Sequence, residues 1–311
     1  MAKKVLIDTD PGIDDSMAIL TAFNSPELEI VGLTTVFGNS VIENCTANAL
    51  RLVELARRPD VPVASGAGRP MVVDAELIAA PVHGEDGMGN THLPAPQGQP
   101  VGMSAAEFIV KTVLENPGEI TLAPLGPLTN IALALMLEPK IAGLVKEVVL
   151  MGGAATVPGN ISPVAEANIF HDAHAAERVF GADWPVVMVG LDVTTRVMMT
   201  PAFFDSIFKA DTPYTRLLQK MLPVYQGFHH DFYGMNGSVH THDPSTITYL
   251  LRPDFFQTEE WPVHVETTGR CAGFTIADRA RQWGDRRPAR VCVGVDAVAE
   301  LGLLHERLTR Y

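Results

Sequence analysis

Short apolar runs rich in β-branched residues alternate with longer stretches of helical periodicity through most of this chain, and that alternation restricts the fold more than any other feature. Val5-Leu6-Ile7 reads as a buried strand, with a helical pattern around Met17 to Phe23 behind it. Leu28 to Phe37 reads as a second strand ending at Gly38-Asn39, followed by a helix from about Val41 to Arg57 and a short strand at Val61 to Ala64. The pattern continues with a helix near Ala105 to Leu114, strands at Glu119 to Ala123 and Lys146 to Leu150, a helix at Ala173 to Phe180 and a strand at Pro185 to Gly190. Parallel strands need crossovers, and the crossover helices cover both faces of the sheet. The alternation therefore predicts an α/β fold with a mostly parallel central sheet flanked by helices. No linker of domain-separating length interrupts residues 1–311, which read as one domain. The C-terminal third reads as less regular, with a long helix over Thr212 to Phe232 and an apolar helical run at Ile247 to Leu251.

The first predicted strand empties into four aspartates within eight residues, Asp8, Asp10, Asp14 and Asp15, broken by Pro11-Gly12. Carboxylates packed so tightly repel one another unless they are solvated, spread out, protonated or bound to a hard cation that prefers oxygen. Aspartate is favoured at helix N-termini, but capping explains one or two of these residues and not four. An EF-hand loop starting at Asp8 would put Ile13 at the position of the invariant glycine and Ile19 at that of the final glutamate, so that reading fails. A phosphatase with an aspartyl nucleophile also uses a strand ending in Asp-x-Asp, and stands as the second reading.

A net charge of −13 makes a polyanionic partner unfavourable, which excludes nucleic acid as a polymer and leaves a neutral nucleoside open. Apolar residues at 47% and charged ones at 19% fit a globular enzyme with a sizeable core. Cys45, Cys271 and Cys292 form no Cys-x-x-Cys spacing and read as reduced thiols of a cytoplasmic protein. The apolar run after Lys3-Lys4 is too short for a secretory signal. Ile120 to Leu137 carries no charge, yet Pro124, Gly126, Pro127 and Asn130 break it into strand, loop and helix, so no membrane span is expected.

Further polar stations lie between the predicted elements. A Gly- and Pro-rich connection over residues 66–100 holds His83, which reads equally as a solvated loop histidine. Pro124 to Asn130 fixes an irregular turn whose carbonyls are available as neutral ligands. Glu166 and Asn168, two apart, face one side if their segment is extended. Four of the ten histidines, His229, His230, His240 and His242, fall within fourteen residues, but no spacing there matches a zinc motif. Asp243 stands before the Ile247 to Leu251 run, where a helix cap and a metal ligand are equally consistent with the sequence.

In order along the chain stand Asp8-Thr9-Asp10-Pro11-Gly12-Ile13-Asp14-Asp15, Phe37-Gly38-Asn39, His83-Gly84, Leu125-Gly126-Pro127-Leu128-Thr129-Asn130, Met151-Gly152-Gly153, Glu166-x-Asn168-Ile169 and His242-Asp243-Pro244. This ordered set resembles the inosine/uridine-preferring nucleoside hydrolases over most of the chain. The resemblance implies a Rossmann-like sheet with the active site at the C-terminal ends of its strands, and hydrolysis of the N-glycosidic bond of a ribonucleoside to free base and ribose. It implies a calcium ion held by Asp10, Asp15, Asp243 and the main-chain carbonyl of Leu125, with Asp10 also the general base. Asp14, Asn39, Asn160, Glu166 and Asn168 would hold the ribose, with Met151 lining the sugar pocket and His83 on the base side. His242 would protonate the leaving base, with His240 and the pair His229-His230 as further candidates. Relatives of this kind assemble as dimers or tetramers, so a homo-oligomer is expected. A non-catalytic nucleoside- or calcium-binding protein is the third reading; it has no need of both a base and an acid.

Overall fold

Val5, Leu6 and Ile7 are all fully buried, as a strand covered on both faces requires. Their side chains divide by the two-residue period of a strand: Val5 and Ile7 join one apolar core and Leu6 the other. The computed structural model describes residues 2–73, 80–284 and 286–311. In chain order its elements begin with β1 (Lys3–Thr9), α1 (Ile13–Phe23), β2 (Leu28–Thr35), α2 (Ile42–Leu55), β3 (Val63–Ser65), α3 (Ala80–His83) and α4 (Ala105–Glu115). Next come β4 (Ile120–Pro124), α5 (Thr129–Leu137), β5 (Glu147–Met151), α6 (Ala167–His171), α7 (Ala173–Phe180), β6 (Val186–Val189), α8 (Leu191–Thr194) and β7 (Met198–Met199). The chain finishes with α9 (Pro201–Phe208), α10 (Pro213–Tyr233), β8 (Val239–His240), α11 (Asp243–Leu251), β9 (Phe256–Trp261), β10 (Val263–Val265), β11 (Thr275–Ala277), β12 (Ala289–Val295) and α12 (Ala297–Leu308).

Eight strands form one sheet in the order β3-β2-β1-β4-β5-β6-β12-β9, and every neighbouring pair is parallel except β12 with β9. The expected α/β architecture is present. From β1 the sheet grows one way through β2 and β3 and the other way through β4, so the strand order reverses between β1 and β4. A crevice opens at such a reversal, outside the C-terminal strand ends, and it lies here between Thr9 and Pro124. Ile120 to Leu137 resolves into β4, a turn and α5, as its prolines predict. Among the described residues no helix is long and apolar enough to cross a membrane.

The C-terminal third is more ordered than its sequence suggests. β12 and β9 extend the central sheet, and α12 packs against α1 and α11. β9 reads Phe-Gln-Thr-Glu-Glu-Trp and is mostly exposed, as an edge strand, so it lacks the apolar run that marks the inner strands. Of the 66–100 connection, residues 74–79 lie outside the described residues; α3 follows them and carries His83.

Candidate active site

The rim between β1 and β4 is crowded with carboxyl groups because β1 ends and α1 begins within a few residues. Gly12 caps α1, and Asp15 at N3 reaches back to accept the Gly12 N–H at Oδ2, 3.0 Å away. Asp15 also accepts hydrogen bonds from Thr9 Oγ1 and, at 2.8 Å, from Asn39 Nδ2. Asp14, one residue earlier in the same turn, accepts the Tyr225 hydroxyl at 3.1 Å. Asp10 accepts the Asn39 N–H at 2.7 Å through Oδ2, while its buried Oδ1 has no partner among the described residues. Two glycines leave room for it: a Cβ on Gly38 would lie 2.0 Å from Asp10 Oδ2, and one on Gly126 would lie 2.3 Å from Oδ1. That contact sets Asp10 beside Leu125, whose carbonyl accepts Asn168 Nδ2 at 2.6 Å and keeps a second lone pair.

Asp243 reaches the same place from the first turn of α11, which packs on α1. The N-cap of that helix is His242, whose side chain makes no capping hydrogen bond. Ligand oxygens of Asp14, Asp15 and Asp243 all lie within 4.8 Å of one another, the one such metal-ligand grouping among the described residues. Asp10 stands outside that grouping, yet close enough for its charge to bear on Asp243. All four carboxyls are buried and sit above the ordinary carboxylate range. Burial is the main cause, and Asp15 adds repulsion on Asp10 and on Asp243, both of which lie far above the range. Burial carries Asp14 up to about 6 and raises Asp15 in the same way. A buried oxygen without a partner and carboxyls that destabilise one another's charge fit a hard divalent cation with oxygen ligands. The histidines of residues 229–242 form no comparable grouping.

Above this floor lies a cleft of about 770 Å³, part of it open to solvent. Asn160, Glu166 and Asn168 line one side, with Met151 at the end of β5. The expected extended segment at Glu166 and Asn168 is instead the start of α6: Glu166 is its cap and accepts the N–H groups of Asn168 and Ile169 at 2.9 and 3.1 Å, and that of Gly153 at 3.0 Å. Both side chains nevertheless face the cleft. Asn160 Oδ1 accepts the Ala167 N–H at 2.9 Å, which ties its loop to the same helix start.

The opposite wall carries histidines and aromatic rings. His83 is buried and not solvated: its Nδ1 accepts the Ile13 N–H at 3.2 Å, which places the ring proton on Nε2, and burial lowers it to about 4. His229 is the mirror case. Its Nδ1 donates to the Tyr225 carbonyl at 2.9 Å, leaving a buried, unpartnered Nε2, and burial takes it to about 4 as well. His242 lines the cleft with Thr194 Oγ1 3.0 Å from its Nδ1, and burial, then the neighbouring His240, His229 and His83, push it well below the usual histidine value. His240 does not reach the cleft; it stands behind, its ring 5.8 Å from that of His242 and 5.7 Å from that of His229. His230 is exposed on the other face of α10. Tyr225, Phe228, Tyr233 and His171 also line the cleft. No sequence motif marks them.

Asp8 sits elsewhere. It is fully buried below the rim, accepts Thr34 Oγ1 at 2.6 Å and Asn130 Nδ2 at 2.8 Å, and is raised to about 7 by burial. A carboxyl so placed cannot meet a phosphoryl group in the cleft, which removes the aspartyl-phosphatase reading.

Comparison with known proteins bears on the same site. The family model described as inosine-uridine preferring nucleoside hydrolase matches residues 5–300. A relative from Arabidopsis thaliana, described as probable uridine nucleosidase 2, is 43% identical over an alignment of 314 residues that spans 98% of this chain and 97% of that protein. The solved structure of a plant nucleoside hydrolase, the PpNRh1 enzyme, superimposes with a TM-score of 0.96 at 37% identity and covers 100% of both chains. A purine-preferring ribonucleoside hydrolase from Gardnerella vaginalis gives a TM-score of 0.94 at 32% identity over 99% of this chain and 98% of that one.

Proposed function

The chain belongs to the inosine-uridine preferring nucleoside hydrolase family and is an N-glycosidase of ribonucleosides; from that premise we propose how its own residues divide the reaction, with Ca2+ as the metal. The observation that carries the proposal is the convergence of buried carboxyls, Asp14, Asp15 and Asp243 within 4.8 Å and Asp10 beside them, under a cleft walled by neutral histidines. Asp10, Asp15, Asp243 and the Leu125 carbonyl would hold Ca2+, which when bound polarises the attacking water and takes up ribose hydroxyls.

The remaining chemistry belongs to the side chains. Breaking the bond between the sugar and the base develops positive charge on the ribose, and the anionic floor stabilises that charge where it forms. Asp10, with one oxygen held by Asn39 and the other free, removes the proton of the incoming water. Asp14, Asn39, Asn160, Glu166 and Asn168 position the ribose against Met151. His242 donates a hydrogen bond to the departing base. His83 offers an Nε2–H, a donor suited to a carbonyl on the edge of the base.

The relative named for uridine is 43% identical and the structure named for purine preference 32%, so uridine heads the proposed substrates. Cytoplasmic location and a homo-oligomeric state belong to the same proposal; the three free thiols suit a reducing compartment. The test is to incubate the protein with uridine, cytidine, inosine and adenosine and measure reducing sugar. Ribose release from at least one, fastest with uridine, is the expected result. Absence of ribose from all four would leave only a binding protein.

A further inference from the structure

His242 is braced from one short segment of the chain. Its backbone is fixed by a two-stranded ribbon in which Met198 faces His240 and Met199 faces Val239, and by the Thr241 N–H donating to the Val197 carbonyl at 3.1 Å. Its ring is fixed by Thr194, the last residue of α8, which is fully buried and places Oγ1 3.0 Å from Nδ1. No other side-chain hydrogen bond of either residue is present among the described residues. α8 itself follows β6 within two residues, so the hydroxyl is held by the central sheet.

A neutral imidazole carries one N–H, and which nitrogen carries it is decided by the partner of the other. With its single proton on Nδ1, the ring would turn a lone pair toward the cleft and have nothing to give. We infer that Thr194 is a positioning residue for the hydrolysis: its hydroxyl donates to His242 Nδ1 and so keeps the ring proton on Nε2, at the cleft. This rests on the reading of His242 as the donor to the leaving base. In the step it supports, the electron pair of the sugar–base bond leaves with the base, the Nε2–H donates a hydrogen bond to the negative charge that develops there, water completes the sugar after losing its proton to Asp10, and the departing base takes up its proton from solvent while the ring keeps its own.

Uridine and p-nitrophenyl β-D-ribofuranoside separate this role from a merely structural one, because p-nitrophenolate departs without a proton. Thr194→Val keeps the buried shape without the donor, Thr194→Ser keeps the donor, and His242→Ala is the reference. Thr194→Val is expected to lower kcat on uridine by about 10- to 100-fold and to change the p-nitrophenyl riboside by less than about threefold, part of what such a donor contributes. Thr194→Ser should stay near wild type on both, and His242→Ala should show the same selective loss more strongly. Equal slowing of both substrates by Thr194→Val, or unchanged uridine hydrolysis, overturns the role of Thr194 while a selective His242→Ala keeps the reading of His242 as that donor. Unchanged uridine hydrolysis by His242→Ala overturns both.

Discussion

The floor and the histidine wall of the cleft bury polar groups side by side by opposite means. On the floor, Asp10, Asp14 and Asp15 are each tied by at least one donor from the rigid turn around β1 and α1 or from Asn39 and Tyr225, and the strain that remains is excess negative charge. On the wall, His83, His229 and His242 each use one ring nitrogen on a local partner, the Nε2 of His229 is buried, and burial disfavours the charged form of all three. In the proposed reaction the region of crowded carboxyls would meet positive charge, both a metal's and the ribose's. The region of neutral imidazoles would handle single protons and hydrogen bonds to an uncharged base.

The sharpest way to break this division is Asp10→Asn. The amide keeps the shape between Gly38 and Gly126 but cannot take a proton from water, so kcat should fall by about 10²- to 10⁴-fold with the fold intact by circular dichroism. Activity near wild type would remove Asp10 from the role of base.

The wall is tested by stability against pH. His83, His171 and His229 stand at about 4 in the folded chain, below the ordinary 6.5, because burial disfavours their charged forms. Between those values these three histidines bind more protons in the unfolded chain than in the folded one, so the stability they contribute is full above about 6.5 and is lost as pH falls toward 4, while the raised carboxyls of Asp8 and Asp14 act in the opposite direction. The difference in melting temperature between wild type and His229→Asn should therefore shift in favour of the variant as pH falls through that window. A difference that does not change with pH would show that His229 is not a buried neutral group.

The smallest effect joins the two regions. Tyr225→Phe removes the hydroxyl that reaches from α10 to Asp14, and kcat/KM should fall by about 2- to 10-fold, the worth of one hydrogen bond. No measurable change would mean that floor and wall are not coupled through this contact.

The two regions also differ in how legible they are in the sequence. Most of the floor is contiguous, and four carboxyls in eight residues after an apolar run announce a charge problem by themselves. The parallel sheet is equally legible, since β1, β2, β4, β5 and β6 are apolar runs. β9 is not, because an exposed edge strand carries no such run; β12 does carry one, Val291-Cys292-Val293, within a C-terminal third that reads as less regular. The wall is dispersed over α3, α10 and the turn before α11, and one turn of a helix decides whether a histidine faces the cleft, as His229 does, or solvent, as His230 does. His240 and His242 differ by two residues, yet only His242 reaches the cleft. Thr194 and His171 lie in no pattern at all; tertiary packing alone brings them to the site.

Ribose release is proposed to depend on a cation held by the carboxyl floor. The direct measurement is to strip the protein with a chelator and titrate Ca2+ back while following bound calcium and ribose released from uridine. One ion bound per chain, with activity rising in proportion, is the result expected. Full turnover by the stripped protein, or calcium binding unaffected by Asp243→Asn, would contradict it.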